Sequence, residues 1–174
     1  MWIGLVGSEM CIRDRILTVL GAVLRNGFLH SAIREKGGAY GSGAQQDSAS
    51  RSFRFFSYRD PNCMETFNAF NESIEWSLKS INSEKLEEGI LGVISSIDKP
   101  GSPAGEARAD FNQNIRGIDQ SKRKIFRNRV ISCSVERLVE VSNKYLTCEP
   151  KKSVISGKHF EKEIKDLGLS IHYV

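Results

Sequence analysis

Apolar side chains recur at steps of three and four from Ile16 through Leu17, Val19, Leu20, Val23, Leu24, Phe28 and Ile33. This spacing predicts an amphipathic or buried helix over residues 16–35. Gly37 and Gly38 come next and end it, because glycine takes the left-handed conformation of a helix C-terminus without a steric penalty. A short strand is expected over 39–45, then a polar turn at Asp47-Ser48-Ala49-Ser50. Ser-Phe-Arg-Phe-Phe-Ser-Tyr at 52–58 is aromatic and partly alternating, the strongest strand pattern in the chain, so the two strands are read as a β-hairpin.

Arg59-Asp60-Pro61-Asn62 breaks the second strand. Phe67, Phe70, Ile74, Trp76, Leu78 and Ile81 then mark a helix over 63–80, and Ser83 with Glu84 opens another that runs to about Ile97. Lys99 to Pro103 is a loop in which Ser102 is placed to cap and Pro103 to occupy the first helical position. Two or three further helices reach Leu146, the last opening at Ser134 with Leu138, Val141 and Tyr145 on one face. Residues 153–156 and 169–174 are short β candidates around a helix over 160–167. The expected architecture is α+β, a mainly antiparallel sheet with helices packed on one face.

The chain has 174 residues, 40% of them hydrophobic, which is enough for one domain-sized core. With 25 basic against 21 acidic side chains the net charge is only +4, so charge alone implies no nucleic-acid partner. The longest apolar stretches, such as 16–24, fall short of the ~20 residues of a membrane span, and a soluble protein is expected. Met1 to Val6 lacks the basic leader and small-residue cleavage site of a secretory signal. Cys11, Cys63, Cys133 and Cys148 are irregularly spaced, with no Cys-x-x-Cys pair, and read as reduced thiols in a reducing compartment.

The first fifteen residues look foreign to the rest of the chain. Glu9 to Arg15 is what a ribosome reads from GAG-ATG-TGT-ATA-AGA-GAC-AGN, a string resembling the mosaic end of a transposon adapter. Residues 1–15 are therefore expected to be a sequencing scar, with native sequence starting near Ile16, in mid-domain.

Candidate chemistry concentrates between Leu29 and Gly43. A charged helix end runs into two glycines and then Tyr40 between small residues. Such a turn can aim Arg34 and Tyr40 into one cavity, because the glycines let the backbone reverse sharply and leave room for a ligand. A plain helix C-cap with a surface arginine is the alternative. The run from Gly37 to Gly43 lacks the Gly-Lys-Ser/Thr ending of a phosphate loop and follows a helix. His30 is read as a packed or solvated histidine. Lys122, Arg123, Lys124, Arg127 and Arg129 are read as a solvated helix face, and Phe53, Phe55, Phe56 and Tyr58 as core.

Arg34-Glu35-Lys36-Gly37-Gly38-Ala39-Tyr40-Gly41 resembles a motif in the C-terminal half of pitrilysin/insulinase-family zinc peptidases, in the presequence-protease branch. Phe53 to Asn62 is similar to the next landmark of that branch, and Ile97 to Pro103 to a third. The resemblance runs from about Ile16 to at least Leu146, and it covers a small C-terminal fraction of a full family member.

The resemblance implies a two-half clamshell around a short unstructured peptide. Zinc is implied in the missing N-terminal half, on an inverted His-x-x-Glu-His motif and a distant glutamate. No such motif runs through His30, His159 and His172, so no metal ligand is assigned here and the chain alone is expected to be inactive. Carried over by position, Arg34 and Tyr40 bind the substrate backbone, Tyr40 also stabilises the transition state, and Gly37 and Gly38 form the turn. The implied partners are a peptide and the N-terminal half of the same parent, with no nucleic acid and no membrane. Two other readings stand beside this one: a non-catalytic homologue used for binding or assembly, and a small nucleic-acid-binding α+β domain. A half-domain cut from its neighbour is also expected to expose surface and to aggregate on its own.

Overall fold

The computed structural model describes residues 8–47, 50, 52–115 and 117–173, with side chains from Asp14 onward. The order is α1 (Ser8–Leu24), a π-helical continuation (Arg25–Lys36), β1 (Gly41–Asp47), β2 (Ser52–Tyr58), α2 (Met64–Lys79), α3 (Ser83–Asp98), α4 (Pro103–Ile115), α5 (Gln120–Ile131), α6 (Val135–Leu146), a 3-10 turn (Lys158–Phe160) and α7 (Glu161–Asp166). β1 and β2 pair antiparallel, with Gly41 opposite Tyr58 and Asp47 opposite Ser52. This is the expected α+β arrangement, with a smaller sheet and more helix.

The first helix is the axis of the core. Val19, Leu20, Val23, Leu24, Leu29 and Ile33 are each at most 1% exposed. They meet Leu86 and Val93 of α3, Val130 of α5, Leu138, Val141 and Leu146 of α6, and Ala44 of β1. Asp14–Lys36 has the length and apolar composition of a membrane span. Its apolar face is instead taken up by the protein's own helices and sheet, and burying each such side chain contributes about 1.5–3 kcal/mol. Gly89 lets α3 cross α1 closely, since a Cβ there would collide with Val23.

The π-helical segment changes the face that the periodicity predicts. Leu24 and Leu29, five apart, are both fully buried, while Phe28 is only half-buried against Trp76, 6.0 Å between ring centres. A wider turn moves the inward position by one residue.

Several caps are as expected. Ser102 Oγ accepts from Gly105 N–H at 3.2 Å and Ser134 Oγ from Arg137 N–H at 3.4 Å. For α3 the cap is Asn82, whose side chain accepts from Lys85 N–H at 2.9 Å. α2 and α6 meet through the fully buried Ser73, Ser77 and Ser142, with the Ser77 and Ser142 hydroxyls bonded to each other. Ser48 and Ala49 of the expected turn lie outside the described residues; across it, Ser50 N–H donates to Asp47 Oδ1 at 3.4 Å.

Two β expectations fail. Residues 153–156 and 169–173 form no strand; Val174 lies outside the described residues. Neither segment has a partner strand among the described residues. Alternation shows that a segment can be a strand, and pairing needs a neighbour. Of the strand aromatics expected in the core, Phe53 and Phe55 pack inward, Phe55 against Phe70 at 5.4 Å, while Phe56 and Tyr58 are 40% and 56% exposed on the opposite face.

Candidate functional site

The helix that carries Arg34 ends at Lys36, and its last carbonyls are satisfied by the glycine turn. Gly38 N–H donates to Arg34 O and Ala39 N–H to Ile33 O, both at 3.1 Å. Each bond reaches one residue further back than in an α-helical ending of this type, as the wider turn requires. The two glycines serve different needs. Gly38 has φ +77°, which favours glycine, whereas a Cβ on Gly37 would sit 2.6 Å from Ile33 O.

The turn leaves Ala39 buried at 5% exposure and puts Tyr40 outside at 68%. His30, Arg34, Glu35, Ala39 and Tyr40 together line one open depression of about 300 Å³. Arg34 and Tyr40 thus lie on one wall. His30, also on this wall, is half-exposed, with Nδ1 3.4 Å from Glu35 Oε1. Arg34 is exposed and forms no ion pair among the described residues.

Residues that sequence reading left out of the site hold it in place. Tyr40 N–H donates to Arg59 O at 3.2 Å. Arg59 has φ +49°, a strained value for a residue with a Cβ. Its guanidinium carbon lies over the rings of Tyr40 and Tyr58, at 5.7 and 5.4 Å, and those rings meet edge to face at 6.1 Å. Asn62 Nδ2 donates to Gly37 O at 2.6 Å, Asn62 N–H to Asp60 Oδ1 at 3.0 Å, and Thr66 Oγ1 to Asp60 Oδ2 at 2.7 Å. The Asp-Pro-Asn turn therefore braces the glycine turn. Its turn chemistry is the sequence signal that could have found this brace.

The other candidates lie elsewhere. The α5 basic cluster is exposed, and Arg127 pairs with Asp98 at 3.0 Å. Among the described residues no group of three or more His, Cys, Asp or Glu is placed to hold a metal ion. What the site's described residues offer is hydrogen bonding and positive charge. Burial pushes the Cys133 thiol up to about 11 and also raises that of Cys63, where Glu163, Asp60 and Glu65 add to the effect.

The fold is thus an α+β domain whose glycine turn sets an arginine and a phenol on one open wall. The chain belongs to the PreP C-terminal domain family, whose model matches residues 10–156. It is similar to the mitochondrial presequence protease of Danio rerio, 35% identical over 131 residues, covering 75% of this chain and 12% of that protein. The Mus musculus protein of the same name is 34% identical over 131 residues, covering 75% and 12%, and the Schizosaccharomyces pombe one 32% over 151 residues, covering 85% and 15%. The chain therefore spans less than a sixth of the length of these relatives.

Proposed function

We propose that this chain is the C-terminal substrate-binding part of a zinc metalloendopeptidase that degrades short unstructured peptides. The zinc and its ligands belong to the N-terminal half of the same parent. The observation that carries this is the shared depression of Arg34 and Tyr40, on a domain whose relatives are named presequence proteases. Tyr40 donates its phenol proton to the peptide carbonyl oxygen as negative charge develops there, and Arg34 offers a planar, permanently charged fork to the neighbouring carbonyl or a carboxylate. Exposure of both groups suits them to a substrate held by the opposite half. The mitochondrial names of the relatives favour an organelle matrix as the compartment.

The test is Tyr40→Phe in the full-length parent. Losing one donor to a developing oxyanion lowers kcat by about 10²–10³, and here KM should change far less. Unchanged turnover would refute the assignment. Residues 1–174 alone should show no peptide hydrolysis.

A further inference from the structure

A groove of about 1290 Å³ adjoins the Arg34 and Tyr40 depression: the two share no lining residue, but Tyr58 and Arg59 of the groove touch Tyr40. One bank is β2 and the residues after it. All nine consecutive residues from Ser52 to Asp60 line it, although their side chains alternate between two faces. A cavity under one face of a strand sees alternate residues; one that sees every residue runs along the strand's edge. β1 occupies the other edge of β2, so this edge has no ladder among the described residues.

The opposite bank is the run 150–157, which has no assigned helix or strand and all of which lines the groove. It contains Ser-Val-Ile-Ser at 153–156, a strand pattern without a partner, in which Ile155 is fully exposed. The floor is apolar, with Phe67, Phe70 and Ile74 of α2 and Tyr145 of α6. Phe70, Ile74 and Tyr145 also pack against the central core.

We infer that this groove is a slot for one inserted β-strand, paired to β2 on one side and to 153–156 on the other, and that the strand comes from the rest of the longer parent. An open strand edge exposes unpaired amides and carbonyls and invites pairing. Two such banks over an apolar floor fit a strand with one apolar face. Continuity of the floor with the core favours permanent occupation over a transient peptide. The relatives, of which this chain covers 12–15%, have ample chain to supply it. The same insertion explains why 153–156 has strand character and no ladder here.

This inference rests on the reading of the chain as part of a longer peptidase, and its test does not depend on turnover. Residue-resolved amide hydrogen exchange is measured on the full-length parent, alone and with an excess of a short unstructured peptide with intact peptide bonds, its cleavage stopped by a metal chelator. Amides of β2 that pair with β1 serve as the internal reference. The outward β2 amides and those of Val154 and Ile155 should be as protected as the reference, at least about 100-fold slower than unstructured amides, without peptide and at every protein concentration. Fast exchange at these amides would overturn the inference. So would protection that appears only with peptide, which would make the groove a substrate cleft, or only as protein concentration rises, which would make a second copy the occupant. Unchanged turnover in Tyr40→Phe would leave the exchange result standing, so the two proposals fail separately.

Discussion

Arg59 shows how a single residue can set the orientation of another. Its positive φ is a conformation that costs on the order of 1–3 kcal/mol, and it brings the carbonyl to Tyr40 N–H and the guanidinium over the Tyr40 ring. Arg59 is thus a positioning residue for Tyr40. In the parent, Arg59→Ala and Arg59→Gly should both lower kcat more than they raise KM. The glycine variant should be the more stable of the two by about 1 kcal/mol, because it relieves the backbone. Equal stability by thermal denaturation, or turnover unchanged in both, would contradict this. Cysteine behaviour belongs to the same scale. Cys148 is exposed, whereas burial holds the Cys133 proton up to about 11. A folded-state pKa raised in this way keeps the thiol neutral through pH 9 and yields thiolate only as the pH climbs toward 11. Peptide-resolved alkylation at pH 8 should label Cys148 well before Cys133, and rapid labelling of Cys133 there would count against the packing described.

Among the elements, the one that matters most is the joint between the π-helical end and the hairpin. Asn62 ties it by one side-chain bond to Gly37 O. Asn62→Ala should cost about 1 kcal/mol, the net worth of a typical hydrogen bond. Gly38→Ala, which forces a Cβ into the left-handed region, should cost about 1–2 kcal/mol. Both should reduce turnover alongside stability; a Tm shift without any change in turnover would separate the joint from the site. Much of this level was legible in the sequence. Long helices with strong three- and four-residue steps and the aromatic hairpin come from local spacing. The glycine turn follows from conformational freedom alone. Illegible features depend on what lies across space. The widened turn moves burial from Phe28 to Leu29, and no local pattern marks it. The bracing by Asp60, Asn62 and Thr66 joins residues up to 25 apart in sequence. The strand character of 153–156 was visible, but a ladder needs a neighbour that these residues do not provide.

At the scale of the whole molecule, one core organised around the first helix supports two adjoining surfaces, the Arg34 and Tyr40 depression and the groove along β2. A proposed boundary near Ile16, with adapter-derived sequence before it, is testable by resequencing the locus from a library made without transposases. The account predicts a longer upstream reading frame in place of residues 1–15. The central claim is that Arg34 and Tyr40 act together on one peptide. A double-mutant cycle on kcat/KM in the full-length parent, with Arg34→Ala, Tyr40→Phe and the pair, measures it most directly. The account predicts that each single variant is strongly impaired and that the double variant is impaired by clearly less than the product of the two effects. Single variants near wild type, or effects that multiply as if independent, would contradict it.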